Sequence, residues 1–116
     1  MNKYTELSDF EINKKVAVTF HGNSDFIEQY DNKTIYVDGN MFDPCNNPAD
    51  AMPIVIENNI SLHAPRFSEG WMAEYTGSDD DVNDGFQADY FDSHNQNPLR
   101  AAMEVFLMMK DAENEG

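Results

Sequence analysis

The chain has 116 residues, 41% of them hydrophobic and 12% aromatic, a composition that suits one domain with a single core and argues against global disorder. Its 22 Asp and Glu outnumber 7 Lys and Arg, and the net charge of -15 argues against direct binding to nucleic acid or an anionic membrane, because either would be repelled. The single cysteine excludes an internal disulfide and a Cys-rich zinc site.

No segment has the character of an export signal or a membrane span. The N-terminal stretch MNKYTELSDFEINKK is polar, and the longest unbroken apolar run, Val105 to Met109, is too short to cross a bilayer. We therefore expect a cytoplasmic protein, whose natural counterpart is a basic protein or a cation.

The first helix is predicted at about Asp9 to Phe20. Ser8 and Glu11 have the S-x-x-E spacing of a capping box, and apolar residues follow at helical spacing. The polar residues Asn13 and Lys14 are expected on a solvated face of this helix.

Short apolar stretches between His21 and Met41 alternate with turn-forming residues. Ile35 and Val37 flank Tyr36, an alternation typical of a half-buried strand, and Asp38-Gly39 suits a hairpin turn. We expect a pair of short strands here, or a hairpin.

A second helix is predicted after Asn47, which can cap it, with Pro48 at its first position. Pro53 removes a backbone donor, so this helix either starts late or bends there. Asn58-Asn59 is expected to end it, and the stretches ISLHA and WMAEYT are then predicted as two further strands.

The last helix follows Asn97 as cap and Pro98 in the first turn. Its sequence MEVFLMM is apolar almost all round, which predicts a helix wrapped by the rest of the fold. Residues 111–116 are expected to form a frayed tail.

These elements predict a single α+β domain over residues 1–116, with about three helices packed on a small, mainly antiparallel sheet. The alternative is a mostly helical domain with only a hairpin. The predicted core comprises Ile12, Val16, Phe20, Ile35, Val37, Ile54, Ile56, Leu62, Trp71, Leu99, Met103, Phe106 and Leu107.

Three blocks of the chain resemble one known family. They are LSDFEINKKVA, FDPCNNPADAMPIVIENNISL and NPLRAAMEVFLMM, in this order. Together they are similar to the NinX family of small proteins encoded by lambdoid phages and prophages. The resemblance implies an accessory phage protein that works in the cytoplasm of a bacterial host, and it carries over no catalytic residue.

Residues 76–96 are predicted as an acidic loop, of which 77–83 is expected to stay mobile. The stretch from Thr76 to Pro98 holds six aspartates and no lysine or arginine, together with the aromatic residues Phe86, Tyr90 and Phe91. Aromatic residues have no role in a solvated spacer, so we expect Phe86 and either Tyr90 or Phe91 to anchor the loop in the domain.

Calcium binding in an EF-hand is not supported by the spacing of these aspartates. Counting from Asp79 puts Asp84 where glycine is needed and Tyr90 where a bidentate glutamate should close the loop. Counting from Asp80 puts Val82 and Phe91 at ligand positions. Weak binding of calcium to the aspartate run is left open.

No catalytic constellation, cofactor motif or dedicated metal site is predicted. The three histidines do not occur as H-x-H or H-E-x-x-H, and the chain has no glycine-rich phosphate loop. Cys45 lies close to Asp43, which raises the pKa of a thiol instead of activating it. A role for Cys45 in a turn or in the core is expected.

We interpret the acidic segment as a surface that imitates DNA and binds a basic, nucleic-acid-handling host protein. Two alternatives stay open: a solvated acidic loop whose aromatics complete the core, and a small-ligand-binding protein or enzyme with a pocket that the sequence does not locate. Whether the chain forms a homo-oligomer is also open. The predicted partner-binding residues are Asp79, Asp80, Asp81, Asp84, Asp89, Tyr90, Phe91 and Asp92.

Overall fold

The computed structural model describes residues 3–22, 26–31, 33–65, 70–75 and 90–115. Helices and strands alternate irregularly along the chain, as expected for an α+β protein. The elements are α1 (Asp9–Phe20), β1 (Ile27–Tyr30), β2 (Thr34–Val37), β3 (Asn40–Phe42), α2 (Pro48–Glu57), β4 (Ser61–His63), β5 (Trp71–Tyr75), β6 (Phe91–Asn95) and α3 (Pro98–Glu115).

The strands of the described ranges form two separate antiparallel sheets, which we call the first sheet (β1-β2-β3) and the second sheet (β4-β5-β6). The α+β class and the three helices predicted from the sequence are confirmed. The predicted antiparallel pairing is also confirmed, and it is divided between two three-stranded sheets that α2 separates along the chain. Helix α3 packs against α1, α2 and the second sheet.

Helix α1 has the predicted bounds, and its capping box is formed. The Ser8 hydroxyl accepts a hydrogen bond from the Glu11 backbone at 3.1 Å, and the Glu11 carboxylate accepts one from the Ser8 backbone at 3.1 Å. Lys14 is exposed, as expected for a solvated face. Asn13 is buried instead, because its amide bonds to the segment before α2.

Helix α2 starts at Pro48 with Asn47 as its cap and contains Pro53 within its length. The start near Pro53 considered from the sequence is therefore wrong. Its buried face consists of Ala51, Ile54 and Val55, an i, i+3, i+4 pattern. The core assignment of Ile56 is also wrong: this side chain is 69% exposed, because it points away from that face.

The hairpin turn predicted at Asp38-Gly39 joins β2 to β3, and both residues have positive φ angles, 53° and 83°. Asp-Gly in two such positions is typical of tight hairpins, and Gly39 has the larger angle without strain. Phe42 on β3 is buried, whereas Met41 beside it is exposed.

Helix α3 is the spine of the core, as its apolar sequence predicts. Phe106 is 1% exposed and meets Phe20 edge to face, with ring centroids 6.0 Å apart. Among the described residues no helix combines the length and hydropathy of a membrane span. The predicted core residues that are buried are Ile12, Val16, Ile35, Val37, Ile54, Met103, Phe106 and Leu107; Phe20, Leu62 and Leu99 are partly buried against them, and Trp71 is partly exposed.

Two segments assigned to loop or tail are regular structure. Residues 91–95, at the end of the predicted acidic loop, form β6, and residues 111–115, predicted as a tail, continue α3. Asp111 accepts a hydrogen bond from the Tyr4 hydroxyl and pairs with Lys3 at 3.1 Å. Burial acts to raise the pKa of Asp111, but these two partners outweigh it and lower the pKa. Helix α3 is thus joined to the N-terminal segment at Asp111.

Candidate functional site

The acidic segment is inserted between two paired strands of the second sheet. Tyr75, the last residue of β5, lies opposite Phe91, the first residue of β6. The intervening residues 76–89 lie outside the described part of the chain. Both ends of the acidic segment are therefore held side by side, at the end of the second sheet where β5 stops and β6 begins.

At this end of the two strands, carboxylates lie on the outer face of the sheet. Glu74 and Asp92 are direct cross-strand partners, so their side chains project from the same face. The preceding pair, Ala73 and Ser93, is buried on the opposite face, towards α3. We call Glu74, Asp92 and Tyr90 the acidic edge.

Two histidines accompany these carboxylates. His63 on β4 and His94 on β6 flank Met72 on β5 in the adjacent row of the same face. His63 Nε2 lies 2.5 Å from Glu74 Oε2, and His94 Nδ1 lies 3.9 Å from Asp92 Oδ2. Both histidines are partly exposed. Each carboxylate of the acidic edge therefore has an imidazole as a neighbour, at contact distance for Glu74 and farther away for Asp92.

The adjacent aromatic residues Tyr90 and Phe91 have different environments. Phe91 is partly buried and packs against the core, so it is the residue that anchors this end of the segment. Tyr90 is 51% exposed. Partial burial, the charges of Asp92 and Glu74, and a hydrogen bond with Glu74 raise the pKa of its hydroxyl.

Of the predicted partner-binding residues, the structure describes three, which are consecutive in the chain. Tyr90 and Asp92 belong to the acidic edge with Glu74, which the sequence did not single out, whereas Phe91 packs against the core. The signal for Glu74 was its place in the WMAEY strand, one residue before the strand ends. The predicted residues Asp79, Asp80, Asp81, Asp84 and Asp89, and the predicted anchor Phe86, lie outside the described residues.

Among the described residues, no lysine or arginine forms an ion pair with the acidic edge. Like charges directly opposite on paired strands repel each other and destabilise the pair. The chain has no Lys or Arg between Arg66 and Arg100, and the described strands of the second sheet carry none. Repulsion between Glu74 and Asp92 is therefore eased by their described polar neighbours, which are His63 and Tyr90 at Glu74 and His94 at Asp92.

Arg100, near the start of α3, is bound into the interior. Its Nη1 donates to Asp9 at 2.7 Å and its Nε to Glu104 at 2.6 Å. Its Nη2 donates to the carbonyl oxygens of Tyr4 at 2.9 Å and Leu7 at 2.6 Å. These bonds join the N-terminal segment and α1 to α3.

Glu104 continues this network to the second sheet, because its carboxylate accepts a hydrogen bond from the Ser93 hydroxyl on β6. Glu104 is fully buried and Ser93 nearly so. The network therefore fixes the strand that carries Asp92. Sequence reasoning missed it, although a lone charged residue in MEVFLMM was a signal that a buried partner exists.

The three blocks that resemble the NinX family meet in one polar junction. Asn13 of α1 donates to Asp43 at 2.7 Å and accepts from the Cys45 backbone at 3.1 Å. Asn97, the cap of α3, donates to the Cys45 carbonyl at 2.5 Å. Within the described residues, every buried side-chain nitrogen and oxygen has a partner. The shared sequence thus corresponds to a structural joint.

Cys45 and His21 are both packed into the fold. Cys45 is fully buried, and burial, followed by the charge of Asp9, raises the pKa of its thiol. Asp43 acts in the same direction, as the sequence predicted. His21 packs edge to face between Phe20 and Phe42. Within the described ranges, no group of three or more His, Cys, Asp or Glu side chains is arranged to hold a metal ion.

A cavity of about 500 Å³ lies between α1 and α3. Phe10, Val18 and Leu107 form apolar walls, and Lys14 and Lys15 lie at its polar side. Its size is within the range of small-molecule pockets.

Comparison with known proteins points to bacteriophages. A family model described as bacteriophage P22, NinX matches residues 3–110. The crystal structure of a phage protein from Bacillus cereus superposes with a TM-score of 0.63 at 15% identity, covering 92% of this chain and 91% of that one. At this identity the likeness shows a shared fold alone. No curated protein matches the chain.

Proposed function

The chain belongs to the bacteriophage P22 NinX family, and from this premise we propose that it is a non-enzymatic accessory protein that binds a basic, nucleic-acid-handling protein of the host. The binding surface is the acidic edge together with the aspartates of residues 76–89. The protein acts in the cytoplasm of the bacterial host and uses no cofactor.

One observation carries this proposal: the opposed carboxylates of Glu74 and Asp92 at the base of a segment without cations. Repulsion within such a pair lowers the stability of the free protein. A partner that brings Lys or Arg side chains to the acidic edge removes this repulsion, so part of the favourable free energy of binding is already stored there. Only a cationic partner gains from it.

The proposed mode of binding is imitation of DNA. Duplex DNA carries about one negative charge per 1.7 Å of helix axis, so an imitator must hold several carboxylates at short and fixed spacing. Directly opposed residues on antiparallel strands are about 4.5–5.5 Å apart at Cβ, and the Ser93–Glu104–Arg100 network holds β6 in place. This rigid base supports the view that the carboxylates are presented in order instead of scattered in solvent.

The residues of the surface have separate roles in this proposal. Asp79, Asp80 and Asp81 attract the partner over a distance and govern the rate of association, as rim charges do. Tyr90, exposed beside the carboxylates, makes the contact that governs dissociation. Phe91 packs against the core and positions the edge.

The proposal is tested by capture of partners from a lysate of the bacterial host at low and high salt. The expected result is a basic, nucleic-acid-binding protein that is retained at low salt, released at high salt, and lost with Asp92→Asn combined with Asp79→Asn. The matched control neutralises the exposed Glu6 and Glu57 and keeps the partner. Equal capture by both double variants would refute the acidic edge as the binding surface.

A second candidate function, binding of a small ligand, is favoured by the cavity between α1 and α3. Its apolar walls and the neighbouring lysines suit a molecule with an apolar body and a polar end. Native mass spectrometry of the protein purified from host cells distinguishes the two functions. A bound small molecule that Val18→Trp displaces supports this candidate.

A further inference from the structure

The outer face of the first sheet carries a cluster of two tyrosines and one carboxylate. The rings of Tyr30 and Tyr36 meet edge to face, with centroids 5.1 Å apart and planes at 89°. The Tyr30 hydroxyl donates a hydrogen bond of 3.3 Å to Glu28 Oε2. Glu28 lies directly opposite Tyr36 in the register of β1 and β2. The three side chains therefore share one face of the sheet.

This cluster surrounds an open cleft. A volume of about 330 Å³ is lined by Glu28, Tyr30, Tyr36 and Gly39. Tyr30 is 50% exposed, and Met41, opposite Tyr36 on β3, is 58% exposed. A Cβ atom placed on Gly39 would meet no atom within 4 Å, so the cleft is accessible at the hairpin turn.

The chemistry of the cleft favours a cation. The faces of tyrosine rings have a negative electrostatic potential, and a carboxylate beside them adds a full negative charge. The charge of Glu28 is also the main cause that raises the pKa of Tyr30. Asp31 and Asp38, in the turns at the two ends of β2, add to the negative potential. An anion would be repelled, and a neutral apolar group would leave the negative charge of Glu28 without a cation, with only the Tyr30 hydroxyl as its hydrogen-bond donor.

A guanidinium group fits better than an ammonium group. Its plane can stack on one ring while its fork of N–H groups reaches a carboxylate, whereas an ammonium group is a compact and strongly hydrated charge. Lys33 is exposed and lies in the turn between β1 and β2. Within the part of the chain that the structure describes, its ammonium group does not stack on Tyr30 or Tyr36. The cleft is thus available to an external cation.

We propose that Glu28, Tyr30 and Tyr36 form a binding site for an arginine side chain of a basic protein. The site is on the first sheet and is separate in sequence from the acidic edge of the second sheet. It rests on the proposed function only for the source of the arginine, since binding of a guanidinium group itself does not require the acidic edge.

The test is titration of the full chain with a blocked peptide of alternating Arg and Gly, followed by NMR of the tyrosine ring protons. The expected result is saturable shifts at Tyr30 and Tyr36, with weaker binding of the matching Lys-Gly peptide. Tyr36→Leu should weaken binding about twofold to fivefold, because it removes one ring of an exposed site. Glu28→Gln should weaken it on the order of tenfold, because it removes the charged acceptor.

Three controls keep the result unambiguous. Glu6→Gln removes one exposed charge elsewhere and should leave the affinity almost unchanged. Lys33→Met should leave it unchanged or tighten it. Tyr30→Phe keeps both rings and only removes the hydrogen bond to Glu28, so it tests the site even where Tyr36→Leu does not fold.

The proposal is overturned if the Arg-Gly peptide binds Glu28→Gln and the unmodified chain equally, or if it shifts Tyr90 and not Tyr30 and Tyr36. Peptide binding at this cleft with no captured host protein would refute only the proposed function. Capture of a basic host protein that is unaffected by Glu28→Gln, without peptide binding at the cleft, would refute only the arginine site.

Discussion

Glu74 on β5 and Asp92 on β6 are directly opposed, so two carboxylates project side by side from the outer face of the second sheet. Such a pair is a cost to the free protein, since like charges opposite one another destabilise paired strands. Its position at the two ends of the acidic segment connects the stability of the sheet with the charge of that segment. This connection makes stability a readout of the proposed binding surface.

Asp92→Asn is expected to raise the free energy of unfolding by about 0.2–1 kcal/mol, because it removes one member of the repelling pair. Urea denaturation measures this gain. Glu6→Gln, which removes an exposed charge from the N-terminal segment, is the charge-matched control. A gain no larger than that of Glu6→Gln would show that the two carboxylates do not interact appreciably.

Arg100→Met is expected to lower the free energy of unfolding by about 3–5 kcal/mol, because Glu104 is then a buried charge without its cation. Lys33→Met, at an exposed turn, should stay within about 0.5 kcal/mol of the unmodified chain. Chemical denaturation of both variants measures the difference.

The double variant Arg100→Met with Glu104→Gln checks this explanation. Gln keeps an acceptor for the Ser93 hydroxyl but carries no charge. The double variant should therefore regain part of the stability lost in Arg100→Met. If it is less stable than the single variant, the unpaired charge is not the cause of the loss.

Ile54→Ala and Ile56→Ala form a matched pair on α2. Ile54 is fully buried, so its truncation should cost about 2–5 kcal/mol, whereas Ile56 is 69% exposed and its truncation should cost under about 0.5 kcal/mol. Thermal or urea denaturation separates the two. Similar costs at both positions would mean that the buried face of α2 is oriented differently.

Cys45 is expected to make the free energy of unfolding depend on pH in the alkaline range. Because burial raises the pKa of its thiol, the folded protein keeps the proton, whereas the unfolded chain loses it above about pH 8.5. The stability that the protonated thiol contributes is fully present below about pH 8.5. It decreases as the pH rises further, by up to about 1.4 kcal/mol per pH unit. Denaturation of the unmodified chain and of Cys45→Ala at pH 7.5, 8.5 and 9.5 isolates it. Parallel curves would contradict a thiol that is protected in the folded state.

The helices were predictable from the sequence because their signals are local. The capping box of Ser8 and Glu11 and the Asn47-Pro48 and Asn97-Pro98 starts each satisfy backbone donors within one turn. Ile56 was misassigned because a run of three apolar residues does not specify which face is buried. The register set by Ala51 and Ile54 decides it, and that register depends on α3.

The candidate site was predictable only in part, because its geometry depends on strand pairing over long sequence separation. The polar stretch from Phe91 to Asn95 has little strand character by itself, and it becomes β6 through pairing with β5 and through the Ser93–Glu104 hydrogen bond. Arg100 and Glu104 have the i, i+4 spacing of an ordinary surface pair. Only the fold shows that this pair is buried.

The most direct test of the central claim is the rate of association with the captured basic host protein, measured by stopped flow at low and at physiological salt. Two triple variants of equal net charge are compared: Asp79→Asn, Asp80→Asn and Asp81→Asn in one, and the exposed Glu6, Glu57 and Glu113 changed to Gln in the other. If the acidic segment attracts the partner, the aspartate variant should associate on the order of tenfold more slowly at low salt, and its rate should depend less on salt. The glutamate variant should show neither change. Equal rates for the two variants at every salt concentration would contradict it.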